Sequence, residues 1–419
     1  MAIAQQSPSI DEIKLDETTI DEMPDFQLAT AIEDVVRRPL ELLARLLDGI
    51  EQVALVDYPE YANVGDSLIW LGQVALFKRL GKKIVYVEAA WHTDFAALRK
   101  VVAQGAAVII TGGGNFGTLW PHHQRFRESL MQKLPAATII QMPQSICFDD
   151  DQALQQFQRI STECPNFHFL ARDIPSFNFA KDNFPGSVDL CPDSAFFLGP
   201  INAPSADVDV LYLHRSDKEC VSVADRIEPS HAAVEMPLDG SPDVAGITRL
   251  NLAVKETDWL QQNRSERALQ KITRGLIRLR LLRNTNPLML HLYNVLARVR
   301  ARRGIRIIAC GKCVVTDRLH AHILSVLMGR PNLLLDNSNG KVFAFYEAWT
   351  RDWPRIGKVN TVEEAFARAR AIVQRSAVTQ IAGVLSLLQM ALQSLTGDLY
   401  LGLGECDQFI LALSNGWAV

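Results

Sequence analysis

The strongest constraint on the fold of this chain is a regular alternation of short apolar runs with helical segments. The run "VALVD" (53–57) precedes the helical period "DSLIWLGQVALFKRL" (66–80), and "AAVIIT" (106–111) precedes "HQRFRESLMQKL" (123–134). Short Val- and Ile-rich runs that alternate with amphipathic helices are typical of βαβ units, which build a parallel sheet. We therefore predict an α/β fold with doubly wound, Rossmann-like sheets.

The length of the chain and a gap in this alternation predict two such domains. A chain of 419 residues exceeds one ordinary hydrophobic core. The alternation stops in a passage rich in Pro, Asp and Asn (192–204) and resumes at "VDVLYLH" (208–214). We predict one Rossmann-like domain over 31–200 and a second over 201–375, facing each other across a cleft.

Other predicted elements are a helix at 31–50 broken at Pro39, a loop at 142–145, strands at 304–309, 313–316 and 331–336, and a helix at 362–375.

The two ends of the chain differ in composition from these domains. The first 25 residues hold seven acidic residues and one basic residue, Lys14, so 1–30 is predicted to be a flexible acidic tail. Residues 376–419 are predicted to form an apolar helical extension, because polar residues interrupt every candidate membrane span. We see no signal peptide, and the seven cysteines form no framework, so a cytoplasmic protein is expected. Cys310 and Cys313 are predicted to be buried structural cysteines.

One segment is strongly basic. Residues 264–306 contain twelve Arg or Lys residues and a single acidic residue, Glu266. The cations Arg267, Lys271, Arg274 and Arg278 fall on one helical stripe, so 264–303 is predicted to include a basic amphipathic helix. This helix is either a solvated face over a core stripe or a surface that attracts an anionic membrane or a diphosphate-linked acceptor. Nucleic acid is disfavoured because no aromatic residues interleave with the charge.

Four polar or glycine-rich loops follow predicted strands and therefore share one edge of the sheet, where ligands bind in open parallel sheets. They carry Gly65 and Asp66, the glycine turn 112–117, the loop 142–145, and Arg172 with Asp173. We predict that these loops form one wall of the cleft. Asp66 could instead cap its helix, and Arg172 could pair with Asp173 or lie at the surface.

The glycine turn "TGGGNFG" (111–117) satisfies the pattern G-x-G-x-x-G, which is also found in dinucleotide-binding proteins. A dinucleotide site requires an acidic residue at the end of the next strand, where this chain has Gln141 and Met142. What the glycines supply is backbone N–H groups that can approach an anion. A purely structural turn remains the alternative.

The stretch "TDRLHAHILSVLMGRP" (316–331) places charged and imidazole groups at the start of an apolar helix. With Thr316 or Asp317 as the cap, Arg318 and His320 would lie in the first turn, where helix amides and cations together suit a phosphate or carboxylate. His322 points to another face and is assigned to the core. The alternative is a polar cap on a core helix.

These motifs, in this order and spacing, resemble the polysaccharide pyruvyl transferase family over roughly 53–375. The matching elements are "NVGDSLI", "TGGGNFG", "PQS", "ARD", "PDSAF" (192–196), "TDRLHAHI" and "DNSNGKV" (336–342), of which "DRLHAHI" is the most specific. The resemblance implies two Rossmann-like domains of the GT-B type. It also implies transfer of the pyruvyl group of phosphoenolpyruvate to two hydroxyls of a sugar, giving a cyclic ketal and phosphate.

The resemblance also implies roles for individual residues. Arg318 and Arg172 would hold the donor, His320 would be the acid, and Asp66 would be a third catalytic residue. The other implied substrate-binding residues are Gly65, Gly112, Gly113, Gly114, Asn115, Gln144, Ser145, Asp193 and Lys341. This scheme requires that Arg318 reach the glycine turn and not be buried against a fixed carboxylate.

No metal or cofactor is expected, and phosphoenolpyruvate is the expected co-substrate. The acceptor is expected to be a sugar, either lipid-linked or carried by a nucleotide, and the basic helix favours the lipid-linked form at the inner face of a membrane. The alternatives are a GT-B-type glycosyltransferase that uses a nucleotide sugar, and a non-catalytic carbohydrate-binding protein.

Overall fold

The computed structural model describes residues 25–215, 252–259, 262, 264–278, 287–375 and 385–386. Residues 1–24 of the predicted acidic tail lie outside this part, as does the predicted C-terminal extension except for 385–386. The predicted tail ended at residue 30, but the first helix already begins at Asp25.

Two parallel sheets form the framework, which confirms the predicted α/β class. The first sheet has the order β2-β1-β3-β5-β6-β7, and β4 pairs with the outer part of β5. The strand order reverses direction at β1, so the carboxyl ends of β1 and β3 flank the crevice where ligands bind in such sheets. The strands are β1 (Gln52–Val56), β2 (Lys83–Glu88), β3 (Ala107–Ile110), β4 (Gly113–Gly117), β5 (Ile139–Cys147), β6 (Phe167–Ala171) and β7 (Ser187–Leu190).

The second sheet has the order β12-β11-β10-β8-β9 and is also parallel. The chain passes from the first sheet to the second between β7 and β8, through a 3₁₀ turn at Ser194–Leu198. The strands are β8 (Val208–Leu213), β9 (Val254–Thr257), β10 (Gly311–Thr316), β11 (Asn332–Leu334) and β12 (Ile356–Lys358).

Helices cover both sheets. Those of the first half are α1 (Asp25–Leu46), α2 (Val64–Arg79), α3 (Phe95–Ala103), α4 (Pro121–Lys133), α5 (Asp151–Thr162) and α6 (Ile174–Asn183), with a 3₁₀ turn at Ala90–His92. Those of the second half are α7 (Arg264–Arg278), α8 (Pro287–Ala309), α9 (Leu319–Leu327), α10 (Lys341–Trp349) and α11 (362–375).

Two predictions about elements are wrong for identifiable reasons. Helix α1 continues through Pro39, although proline removes a backbone hydrogen bond. Its buried residues Ile32, Val36 and Leu43 form one helical stripe in the core, and their burial outweighs that loss.

The run "GIRIIA" (304–309) was predicted to be a strand but forms the end of α8. A short apolar run does not distinguish a buried strand from a buried helix. Gly304 serves helix packing here, because a Cβ at this position would lie 2.3 Å from Val64 Cγ1 on α2.

Two predicted loops are also extended strands. Residues 142–145 lie within β5, and the glycine turn contributes β4, which pairs with β5 from Gly113–Gln144 to Gly117–Cys147. The glycines permit this close pairing: a Cβ at Gly117 would lie 2.1 Å from the carbonyl oxygen of Cys147, and Gly117 has φ +103°. The glycine-rich segment is therefore a fixed strand at the edge of the crevice.

One hydrophobic core runs between the two sheets. It contains Leu55 of β1 and Leu68 of α2 together with Leu211 of β8 and Val314 of β10, all at most 1% exposed. Polar contacts join the same halves, since Trp70 donates from Nε1 to Asn294 Oδ1 (2.9 Å). The predicted core position of His322 is confirmed, because its ring is fully buried between Asn332 and Thr350. Cys310 and Cys313 are buried free thiols, as predicted.

Candidate active site

The start of α2 meets the start of α9 at the crevice. Asn63 caps α2 by accepting a hydrogen bond from the Gly65 N–H (2.9 Å), so Asp66 is not the cap but lies in the first turn. A Cβ at Gly65 would lie 2.3 Å from Nδ1 of His320. Glycine is therefore required at position 65 for the imidazole to pack against α2.

A buried chain of charged groups links this imidazole to the first sheet. His320 Nε2 lies 3.2 Å from Asp193 Oδ2, and Arg172 donates from Nη1 to the same oxygen at 2.9 Å. Arg172 also donates from Nε to the Ser145 hydroxyl (2.8 Å), which donates to Asp173 (2.5 Å). The predicted alternative of an Arg172–Asp173 pair is thus replaced by a pair with Asp193. Ser145 and Asp173 orient the guanidinium.

The pKa values of the two carboxylates near His320 shift in opposite directions. Burial alone would raise the pKa of Asp193, but the charges of His320 and Arg172 and a hydrogen bond to His320 outweigh it and lower the pKa to about 2. Asp193 is therefore a permanent anion. Burial raises the pKa of Asp66, and the nearby His320, a hydrogen bond from Tyr61 and Arg172 offset this only in part. Asp66 is thus the carboxyl better suited to exchange a proton.

Cations from both sheets meet at the glycine strand. A Cβ at Gly114 would lie 2.8 Å from Arg172 Nη2 and 3.5 Å from Lys341 Nζ. Lys341 begins α10 and donates to the Gly114 carbonyl at 3.5 Å, although it is 227 residues away in sequence. Gly113 adopts φ +139°, and a Cβ at Gly112 would lie 2.6 Å from the Pro143 carbonyl oxygen. This is a narrow site with positive charge on two sides.

Asn115 and Gln144 hold the glycine strand in place. Gln144 accepts from the Asn115 N–H (3.3 Å) and donates to Asn115 Oδ1 (2.9 Å). Arg127 donates to the backbone and side-chain oxygens of Asn115 and to Gln141. Asn115 and Gln144 lie at the site as predicted, with their described polar contacts made to the protein. Their contact with substrate stays a prediction.

Arg318 departs from its expected position. It occupies the N-cap position of α9 and not the first turn, and its N–H donates to the Thr316 hydroxyl (3.1 Å). Its guanidinium is 4% exposed and lies 2.6 Å from Asp258, above the ring of Trp259. The expected role of Arg318 in holding the donor required a guanidinium that is not buried against a carboxylate, and the structure shows such burial. The role stays a prediction only if a bound anion displaces Asp258.

Sequence reasoning missed a second cluster of charged and imidazole side chains, which lies at the end of β1. Asp57 has φ +66° and its carboxylate lies 2.9 Å from Nδ1 of His123, while Arg127 Nη2 approaches it at 3.9 Å. Asp57 directly follows the first strand, and this position was the available signal. His123 and Arg127 lie on α4, and nothing in the local pattern distinguished them from solvated helix residues.

The residues that the structure describes have two further properties. In these ranges, no three His, Cys, Asp or Glu side chains are grouped to hold a metal ion. Within the part of the chain that the structure describes, no helix has the length and apolar character needed to cross a membrane.

A carboxylate-bound imidazole and two cations thus lie beside a glycine strand at the ends of parallel strands, the edge at which α/β enzymes bind their ligands. The chain belongs to the polysaccharide pyruvyl transferase family, whose model matches residues 63–339, and it is accordingly a transferase.

Two named relatives agree with this assignment, and one solved structure is similar in fold alone. Pyruvyl transferase 1 of Schizosaccharomyces pombe is 32% identical over 72% of this chain and 70% of its own length. EpsO of Bacillus subtilis, provisionally named a pyruvyl transferase, is 29% identical over 74% and 90%. A functionally uncharacterised protein from Klebsiella pneumoniae shares the fold, with a TM-score of 0.50 and 17% identity over 78% of this chain and 99% of that chain.

Proposed function

We propose that this protein transfers the pyruvyl group of phosphoenolpyruvate to two hydroxyls of one sugar in a polysaccharide precursor, forming a cyclic ketal and releasing phosphate. The observation that carries the proposal is the approach of Arg172 and Lys341 to Gly114, next to the His320–Asp193 pair. Phosphoenolpyruvate carries a phosphate and a carboxylate, and a site with two cations and one acid matches both charges.

The donor would lie along the glycine strand. Arg172 and Lys341 come from opposite sheets, so they can contact the two anionic groups of one molecule from two sides. Ser145 and Asp193 keep the Arg172 guanidinium oriented, which reduces the entropy lost on binding. Arg318 would join them if the donor replaced its contact with Asp258.

The chemistry assigns one proton donor and one proton acceptor. His320 protonates the methylene carbon of the enol, which leaves an oxocarbenium-like centre on the carbon that carries the phosphate. The first sugar hydroxyl adds to this carbon and gives its proton to Asp66. Phosphate then leaves with its bonding electron pair. The second hydroxyl adds and gives its proton to His320, which the first step left deprotonated, and this closes the ketal. No step is assigned to a metal or a redox cofactor.

The proposal extends to the domain arrangement and to the basic helix α7. The two sheets would belong to GT-B-like domains (31–200 and 201–375) whose cleft holds both substrates. Helix α7 presents exposed Arg267, Lys271 and Arg274, which suit contact with an anionic membrane surface or a lipid-linked acceptor. We propose on this basis a cytoplasmic protein that contacts the inner face of the membrane.

Incubation of the purified protein with phosphoenolpyruvate and a panel of sugar acceptors tests the reaction. We expect phosphate release that depends on the acceptor, together with a ketal-sized mass gain on the sugar. His320→Ala should abolish turnover, whereas His291→Ala, a substitution at an exposed histidine of α8, should leave it unchanged. Arg172→Ala should mainly raise the KM for phosphoenolpyruvate. Release of a nucleotide from a sugar donor would instead identify a glycosyltransferase.

A further inference from the structure

Large aromatic side chains are exposed beside the catalytic groups. Trp91 is 58% exposed, in the 3₁₀ turn that follows β2, and Tyr61 is 39% exposed, in the loop between β1 and α2. Both positions follow the carboxyl ends of neighbouring strands, the edge at which the site lies. Burying these rings would stabilise the fold, so their exposure in the middle of a functional edge calls for another explanation.

The rings form a continuous row that starts at the site. The Tyr61 hydroxyl hydrogen-bonds to Asp66, and the Tyr61 ring lies 6.3 Å from that of His123. His123 contacts His122 at 5.7 Å, and His122 stacks on Trp91 with centroids 3.2 Å apart and planes inclined by 8°. The row therefore extends from Asp66, the predicted proton acceptor, to Trp91, the most exposed tryptophan among the described residues.

This row is held rigidly. Asp57 fixes His123 through a 2.9 Å contact, and His92 lies 3.5 Å from Glu60, which ties the turn of Trp91 to the loop of Tyr61. Burial and the neighbouring His123 lower the pKa of His122, so its ring is neutral when it stacks on Trp91. An aromatic surface that is oriented before binding loses little entropy when a ligand settles on it.

We propose that Tyr61 and Trp91 form a stacking platform for the acceptor glycan, on which the sugar next to the pyruvylated one lies. This deepens the proposed function and rests on it. Pyranose rings carry apolar C–H faces between polar hydroxyls, and an aromatic face matches the former while leaving the latter in water. The exposed His92, which lies next to Trp91, can reach hydroxyls at the edge of the sugar.

A sugar suits this surface better than a protein does. The platform consists of two rings set among histidines and carboxylates, whereas a stable protein interface buries about 800 Å² on each partner. The row also ends at Asp66, so a ligand that binds on the platform lies next to the reacting groups. A glycan of two or more units has the required length and chemistry.

The test measures binding without phosphoenolpyruvate, so it does not depend on turnover. Saturation-transfer NMR and titration would compare lactose, cellobiose and chitobiose with their monosaccharides. We expect at least one disaccharide to bind about fivefold more tightly than its monosaccharide, a gain typical of one aromatic stack. Trp91→Ala should remove this gain, and Trp91→Phe should retain part of it.

The matched control is Leu288→Ala, which truncates another apolar side chain, 48% exposed, at the start of α8. It should leave every affinity unchanged. Equal disaccharide affinities for Trp91→Ala and the unsubstituted protein would overturn the platform, as would no gain for any disaccharide.

In the transfer reaction, Trp91→Ala should raise the KM for a disaccharide acceptor and leave the KM for phosphoenolpyruvate unchanged. Sugar binding that depends on Trp91 in a protein that releases no phosphate would retain the platform and reject the proposed reaction.

Discussion

At the scale of single residues, close approaches decide where the reactive groups lie. Gly65 has no side chain, and this lets His320 pack on α2 with Nε2 directed to Asp193. Neither residue is informative alone, because a glycine at a helix start and a histidine on an apolar helix are both common. Their contact explains both residues, since the glycine leaves the space that the imidazole fills.

The first prediction concerns this space. Gly65→Ala would place a Cβ 2.3 Å from His320 Nδ1, so the ring must move. Since displacement of a catalytic group by about 1 Å lowers rates by about 100-fold, we expect kcat to fall by about 10- to 100-fold. Steady-state kinetics with circular dichroism would separate this loss from unfolding.

The control for that experiment is Gly275→Ala on α7, where a Cβ meets nothing within 4 Å. It should leave kcat unchanged and add about 0.5–1 kcal/mol of stability, because alanine favours the helix. An unchanged kcat in Gly65→Ala would show that His320 does not need its present position.

Glu88 is the subject of the second prediction. This carboxyl is fully buried, and burial raises its pKa to about 9. The unfolded chain releases this proton near the ordinary glutamate pKa, so the stability contributed by Glu88 falls as pH rises between about 4.5 and 9. Glu88→Gln should therefore stabilise the protein by about 1–4 kcal/mol at pH 7.5 and change little at pH 5. Thermal melts at both pH values test this, and a gain independent of pH would contradict it.

At the scale of elements, the basic helix α7 is joined to the active-site loop. Its single acidic residue, Glu266, is fully buried and pairs with Arg300 (3.2 Å) and Arg303 (3.1 Å) of α8. The same arginines donate to the backbone carbonyls of Pro59 and Ala62, on either side of Tyr61. The predicted basic face is thus the outer side of a helix whose inner side supports the site.

Glu266→Gln tests this support. Removing one partner of a buried ion pair leaves uncompensated charge, so we expect about 3–5 kcal/mol of destabilisation. Hydrogen exchange should increase in peptides that cover 57–66, and the KM for the acceptor should rise. The control is Glu347→Gln, which alters an exposed pair with Lys358 and should change stability by less than about 1 kcal/mol. Unchanged exchange at 57–66 would refute the coupling.

At the scale of the whole molecule, the two sheets share a core. Leu55 and Leu68 of the first half and Leu211 and Val314 of the second belong to one buried cluster. The backbone N–H of Ile201 also donates to the Leu327 carbonyl at 2.7 Å. A continuous apolar core couples the unfolding of its parts, because opening either half exposes surface of the other.

We therefore expect a single thermal transition for the two sheets. Calorimetry should show one peak, and the melting curves from tryptophan fluorescence and far-ultraviolet circular dichroism should coincide. Two resolved transitions would show that the sheets unfold as independent domains and that the shared core contributes little.

The sequence predicted most elements because their signals are local. Alternating Val- and Ile-rich runs predicted the strands of the first sheet, and position after a strand predicted that Asp66, Arg172 and the glycine segment share one edge. The failures were also local: "GIRIIA" is too short to separate strand from helix, and the extended form of 113–117 depends on its partner β5. The position of His320 at the start of an apolar helix had already marked it as a candidate, whereas Lys341 came from the family resemblance alone.

What the sequence determined by itself is the α/β class, the family and most of the residues gathered at the site, since periodicity and motif spacing are properties of neighbouring residues. The tertiary structure alone decided which charges pair. His320 meets Asp193 across 127 positions, Lys341 meets Gly114 across 227, and Arg318 turns to Asp258. Electrostatic pairing depends on distance in space and on burial, and chain packing sets both.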